Sequence, residues 1–167
     1  KTAYEILTCD WSSDVCSSDL VLTSANPQSG GVIQTVTSTI SSQVSTTSNT
    51  YVSTGLSASI TPKFATSKVF IVMSGQMYSS ASAQGCITIY KNGSNLVNSS
   101  GFSNQYANGV ASAGSACFMY LDSPATTSST TYTVYMLNSN NSASIFFNSG
   151  GNGNNEIASI TLMEIAA

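Results

Sequence analysis

The sequence predicts an all-β fold, a sandwich or barrel of roughly eleven short strands. Three observations carry that prediction. Runs rich in Val, Ile, Thr, Tyr and Phe recur along the chain, separated by Gly, Asn, Ser and Pro. No window holds a helical apolar period long enough to specify a helix. Hydrophobic residues make 41% of the 167 residues, enough for the core of one domain, while charged residues make only 7%. Ser and Thr together number 52, so the surface is solubilised by hydroxyls and amides rather than by charge.

The elements follow in chain order. Residues 21–30 are polar, contain Pro27 and end at the pair Gly30-Gly31, which reads as a linker. Strands are expected at Val32–Thr37, Gln43–Thr47, Tyr51–Thr54 and Leu56–Ile60, the last ended by Thr61-Pro62. Lys68–Tyr78, Cys86–Lys91 and Asn95–Asn98 come next. Asn92-Gly93 stands between the last two, and this pair tolerates the φ > 0 that a tight hairpin turn demands of both residues. Ala116–Leu121 is ended by Ser123-Pro124 and a polar loop through Thr130. Thr131–Leu137, Ala143–Asn148 and Ile157–Ile165 complete the set, with Gly150-Gly151-Asn152-Gly153 as a loop before the last.

Lys1–Leu20 differ from everything after them. They hold Trp11, Cys9, Cys16 and five of the eleven charges. Back-translation of Lys1–Glu5 and of Asp10–Asp19 is similar to the two fixed halves of an indexed sequencing adapter, and one reading frame joins them. A signal peptide is the competing reading, but Asp10, Asp14 and Asp19 interrupt any apolar stretch it would need. The segment is therefore expected to be a translated artefact, with the domain itself at 31–167. Without it, Lys63, Lys68 and Lys91 balance Asp122, Glu156 and Glu164, so the net charge of residues 21–167 is 0.

Composition excludes several functions. With no His and no Arg, the chain has no histidine base, histidine metal ligand or arginine clamp. Four Lys do not make the basic footprint of a nucleic-acid-binding protein. No run of about 18 apolar residues suggests insertion into a membrane. No cofactor and no metal site is expected, since Cys86 and Cys117 alone are too few ligands for zinc.

Strand periodicity adds one more expectation. Alternate residues of a strand face opposite sides. Val69, Ile71 and Met73 are opposed by Phe70 and Val72. Cys117, Met119 and Leu121 are opposed by Phe118 and Tyr120, Val134 and Met136 by Tyr135 and Leu137, and Ile160 and Leu162 by Met163 and Ile165. Both faces are apolar, and no helices are available to cover the second one. Large uncovered patches mark interfaces, so further copies of the chain are the expected cover. Val69, Phe70, Ile71, Val72, Phe118, Tyr120, Tyr135, Leu162 and Met163 are the residues expected on core or oligomer faces.

The stretch from Thr46 to Pro62, TTSNTYVSTGLSASITP, resembles a recurring segment of bacteriophage virion proteins. Ser67–Val72, Leu121–Pro124, Thr131–Tyr135 and Ala158–Ile165 match further segments in the same order. Residues 31–167 thus resemble tail-fibre and related structural proteins of phages. The resemblance implies an antiparallel jelly-roll sandwich of about 8–11 strands, similar to the heads of tumour-necrosis-factor and complement-type proteins. It implies a homotrimer, located in the virion and used for host attachment, with other virion proteins as neighbours. A fibre shaft or anchoring domain would be expected upstream.

Candidate sites are sparse. Glu156, Glu164 and Asp122 are the acids outside the first twenty residues, and a carboxylate pair could cleave a glycoside; a loop-edge charge and a strand-end charge are the plainer reading. Lys68 with Glu164 and an Asn could form an isopeptide crosslink, although Lys68 starts its strand and is expected in solvent. Cys86 and Cys117 are expected as free thiols filling apolar space. Three Asn-x-Ser sequences, at Asn92, Asn98 and Asn140, occur at chance frequency. The loops Ser79–Gly85, Ser99–Gly114 and Asn138–Ser142 place Tyr78, Phe102 and Tyr106 among Ser, Asn and Gly. That mixture suits a host glycan or protein receptor, because rings stack on sugar faces while amides and hydroxyls bond their rims. The expected function is a non-enzymatic receptor-binding head. Alternatives are a capsid-decorating or fibre-joining protein without receptor contact and, further off, a polysaccharide depolymerase.

Overall fold

A computed structural model describes residues 28–140, 143–151 and 156–167. Residues 1–20, most of the expected linker, and parts of the Asn138–Ser142 and Gly150–Gly153 loops lie outside the described residues. Eleven strands form among those described, and no helix does. They are β1 (Val32–Ile40), β2 (Val44–Thr46), β3 (Val52–Ile60), β4 (Lys68–Ser79), β5 (Gln84–Lys91) and β6 (Ser94–Asn95). β7 (Ser103–Tyr106), β8 (Ser112–Asp122), β9 (Thr130–Asn138), β10 (Ile145–Phe147) and β11 (Ala158–Ile165) complete the chain.

The strands form two antiparallel sheets, a β-sandwich. The first holds six strands, β1-β11-β4-β10-β2 with β8 on the other edge of β4; the second holds five, β3-β9-β5-β6 with β7 also on β5. The long pairings are nested: β1 with β11, β3 with β9, β4 with β8 and β5 with β7. Outermost strands in sequence pair together, and so on inward. This is the pattern of a long antiparallel ribbon rolled into two layers.

Alternation decides the core. In the six-stranded sheet, Ile71 and Met73 of β4 oppose Leu162 and Ile160 of β11, Met73 also opposes Phe118 of β8, Val69 opposes Glu164 and Asp122, and all are buried. Leu56, Ile60, Ile87, Ile89, Val134 and Met136 meet them from the five-stranded sheet. Backbone must come close to side chains within the six-stranded sheet at Gly75 and between the two layers at Gly85. A Cβ on Gly75 would stand 3.1 Å from Phe147 and Ala158, and one on Gly85 would stand 2.7 Å from the Met77 sulfur.

Part of the outer face of the six-stranded sheet is apolar, at positions the alternation predicts, while Thr37, Thr161 and Ser74 are polar neighbours on the same face. Phe70 lies opposite both Leu121 and Met163, and Val72 lies opposite Met119. Phe70, Val72 and Met163 are half-buried by their neighbours, whereas Met119 and Leu121 are 69% and 48% exposed. Tyr120, expected on one of the two faces, turns inward beside Phe102.

Several boundaries differ from expectation for identifiable reasons. Tyr51–Thr54 and Leu56–Ile60 are one strand, because Gly55 (φ 81°) makes a β-bulge where the register to β9 shifts. The Ser99–Gly114 loop contains β7, whose sequence SNQY has no apolar alternation to reveal it. Ala143–Asn148 contracts to Ile145–Phe147, and in place of Asn95–Asn98 stands the two-residue β6, which shares only Asn95 with it. The Asn92-Gly93 turn forms as expected, with φ of 49° and 85°, and Asn92 exchanges backbone and side-chain hydrogen bonds with Thr131. The Gly30-Gly31 end of the linker is tied down: Gly30 N–H donates to the Ala166 carbonyl, and Ala166 N–H donates to Gly31.

Candidate binding groove on the outer face of the five-stranded sheet

The three aromatics expected at a receptor site are dispersed. Phe102 stacks on Phe118 with ring centroids 4.4 Å apart and packs against the core, so it is a structural ring. Tyr78 lies on the outer face of the six-stranded sheet, tilted against Phe146 at 5.6 Å, beside a pocket of about 110 Å³ shared with Gln43, Ser149 and Gly151. Tyr106 ends β7 and is 54% exposed. No ring contact among the described residues joins any two of the three.

A different aromatic set is gathered on the outer face of the five-stranded sheet. Thr88 of β5 faces Tyr135 of β9, and Tyr90 faces Thr133. Tyr90 and Tyr135 are therefore diagonal neighbours, and their rings stack at 3.9 Å and 19°. Tyr51, one residue before β3, meets Tyr90 edge-on at 6.1 Å. The Tyr51 hydroxyl donates to the Ser99 carbonyl at 3.1 Å, holding the 98–101 loop over the sheet. Gly101 (φ 71°) permits that approach, since a Cβ there would fall 2.4 Å from the Ile87 carbonyl oxygen and 2.8 Å from the Tyr51 hydroxyl.

These walls enclose a groove in two connected parts. One part, about 480 Å³, is lined by Tyr51, Tyr90, Val97 and Leu137 with Asn49, Asn95 and Asn98 at its rim. The other, about 430 Å³, shares Asn49, Ser99 and Leu137 and adds Gln84, Asn104, Ser100 and Ser139. Among the described residues, no charged side chain lines either part. Asn95 is held by its own bonds, accepting from the Thr88 hydroxyl at 3.0 Å and donating to the Asn98 carbonyl at 3.2 Å. The exposed side chains of Asn49 and Asn104 have no hydrogen-bond partner among the described residues. Burial, with the neighbouring Cys86 and Tyr90, pushes the Tyr51 hydroxyl up to about 12, so it stays a neutral donor at ordinary pH. Burial raises the Cys86 thiol, against a smaller opposing hydrogen bond from Ser139. Sequence reading passed over Tyr51 and Tyr90 and placed Tyr135 only on a core or oligomer face, because each stands in or beside a strand. The usable signal was the outward period-two position of Tyr90 and Tyr135 on strands that the register sets side by side.

The remaining candidates have structural occupations. Glu164 stands at the end of β11, as expected, and is fully buried. Gln34 Nε2 donates to its Oε2 at 2.5 Å, and the N–H groups of Lys63 and Phe64 donate to its Oε1 at 2.8 and 3.3 Å. Burial alone would raise its pKa, but these bonds outweigh that and hold the carboxyl below its ordinary value. Lys68 is exposed, as expected. Asp122 is buried and bonded to Lys91 and Tyr132. Cys86 and Cys117 are free thiols on different sheets; Cys86 is buried, but Cys117 is exposed on β8 rather than filling apolar space. Among the described residues, no three His, Cys, Asp or Glu side chains are grouped to hold a metal. No family model matches the chain, and no curated protein matches it.

Proposed function

We propose that this chain is a non-catalytic virion protein: the homotrimeric jelly-roll head of a bacteriophage tail fibre, which attaches the particle to a glycan or protein on the host surface. The observation that carries this reading is the apolar patch on the outer face of the six-stranded sheet, where Met119 and Leu121 stand exposed beside Phe70, Val72 and Met163. A face of this kind needs cover, and copies of the same chain supply it symmetrically. The nested strand pairing supports the jelly-roll form, and the ordered likeness to phage segments supports the virion assignment. Glu164 and Asp122 are committed to folding contacts, which favours binding over catalysis.

Light scattering on the purified chain tests the assembly. A trimer is expected, and the Met119→Lys/Leu121→Lys variant should fall to monomers with its circular dichroism unchanged. A stable wild-type monomer overturns the trimeric head. Attachment is tested by binding of the labelled trimer to intact bacteria. Binding to one host range and not to others is expected, and no binding across a broad bacterial panel overturns receptor contact.

A further inference from the structure

We infer that the groove beside Tyr51 and Tyr90 is a saccharide site for an uncharged glycan, recognised by ring stacking and by amide and hydroxyl contacts. This inference deepens the reading of the chain as a surface-binding head and rests on it. Three features of the groove point to that chemistry. Its wall is tyrosine: Tyr90 is braced from behind by Tyr135 at 3.9 Å and from the side by Tyr51 at 6.1 Å. Aromatic surface fixed in this way meets the C–H faces of a pyranose without losing rotamer freedom on binding. Its rim is carboxamide and hydroxyl. The side chains of Asn49 and Asn104 have no partner among the described residues and are available to paired hydroxyls, since each amide offers two donors and an acceptor.

The third feature is the absence of charge. Among the described residues, neither part of the groove has Lys, Asp or Glu in its lining. A sulfated or uronic-acid glycan would bring anions to a site with no cation to receive them, so an uncharged chain of hexoses or N-acetylhexosamines fits better. The two parts meet at Asn49, Ser99 and Leu137, so the groove runs on past a single sugar. An oligosaccharide of several units is the natural occupant.

The test uses the whole chain in its native assembly. Neutral tetrasaccharides of the gluco-, manno-, galacto- and chito- series are titrated by calorimetry beside a heparin and a polygalacturonate tetrasaccharide and an unrelated uncharged peptide. At least one neutral saccharide should bind, and the acidic ones should not. Tyr90→Ala should weaken binding ~10-fold or more. That variant also removes a packed ring, so Asn49→Ala and Asn104→Ala, both at exposed positions, provide the second arm and should each weaken binding several-fold with unchanged melting. The inference is overturned if no neutral saccharide binds at 10-fold excess over a millimolar scale, if only the acidic saccharides or the peptide bind, or if all three variants bind as wild type. Light scattering on the same samples separates the two readings. A trimer that ignores neutral saccharides sinks the groove alone, and a monomer that binds them sinks the trimeric head alone.

Discussion

The Tyr132 hydroxyl donates to Asp122 Oδ2 at 2.6 Å, and this bond crosses from one sheet to the other. Tyr132 is on β9 of the five-stranded sheet and Asp122 ends β8 of the six-stranded sheet. Lys91 of β5 reaches both Asp122 oxygens, at 3.1 and 3.0 Å. A buried carboxylate is thus satisfied by one neutral and one charged donor from the opposite layer. Removing the hydroxyl with Tyr132→Phe should cost ~1–3 kcal/mol, measured by urea denaturation. Lys91→Met should cost less, because Lys91 keeps part of its side chain in water. The double variant should depart from additivity, since both side chains serve one acceptor. Additive losses would mean that the two donors act independently.

Tyrosine ionisation sets an alkaline limit. Burial, then the bond to Asp122 and its charge, push the Tyr132 hydroxyl far above its ordinary value of 10.0, and Tyr51 is pushed up to about 12. In the unfolded chain both ionise near pH 10. Above that pH the folded state holds more protons than the unfolded state, so stability falls as pH rises. Unfolding free energy is expected to be flat between about pH 7 and 9 and to drop beyond about pH 10. Tyr132→Phe should flatten that drop while lowering the plateau. An unchanged alkaline limb in the variant would remove Tyr132 as its cause.

Glu164 sets the acid limit. Its carboxyl is held below its ordinary value of 4.5 by the donors from Gln34, Lys63 and Phe64, against the burial that would raise it. The stabilisation is present above pH 4.5 and is lost as pH falls through the lowered folded value. The bonds also fasten the 61–67 turn, so acid should loosen that turn first. Glu164→Gln replaces one acceptor oxygen with a donor that faces donors, and ~1–3 kcal/mol should be lost at neutral pH. The variant should also show a shallower acid limb, and hydrogen exchange at Lys63 and Phe64 should rise. Equal acid limbs would place the sensitivity in another carboxyl.

How much of this could be read in the sequence depends on what each feature rests on. Strands β4, β8, β9 and β11 were legible because each is long and alternates, and the Asn92-Gly93 turn was legible because few residue pairs accept its backbone angles. Gly55 looked like a break since a bulge and a turn use the same residue; only pairing to β9 distinguishes them. β7 carries no apolar signal and is held by its bonds to β5. The groove was illegible for a related reason. Tyr51, Tyr90 and Tyr135 are far apart in sequence, and only the register of β5 on β9 stacks two of them. Phe102 looked like a loop aromatic because its partner Phe118 lies across the fold.

Gly55 and Gly101 share a left-handed backbone, but their surroundings separate them. Gly55 has φ of 81° and open space around a hypothetical Cβ, so Gly55→Ala should cost only the backbone strain, ~1–2 kcal/mol. Gly101→Ala carries the same strain and also drives a methyl against the Ile87 carbonyl. It should cost more, and it should displace the 98–101 loop from the Tyr51 hydroxyl. Thermal melts rank the two variants, and tyrosine ring shifts in NMR spectra report Tyr51. Equal costs with an unmoved Tyr51 would show that the loop yields freely at Gly101.

Thiol labelling reads which sheet face is covered in solution. Cys117 stands opposite Ser74, on the outer face that carries Met119, and its sulfur lies 3.7 Å from the Ser74 hydroxyl. Cys86 is buried, and burial raises its pKa, so it should react slowly in any assembly state. Cys117 is exposed in the single chain and should react fast only while that face is open. If copies of the chain cover the face, Cys117 in the wild-type protein should label slowly, and Met119→Lys/Leu121→Lys should accelerate it ~10-fold or more without changing Cys86. Peptide mapping assigns the label to each cysteine. Fast labelling of Cys117 in an intact trimer would mean that the subunits meet elsewhere, by an edge such as β8's free side rather than across the apolar face.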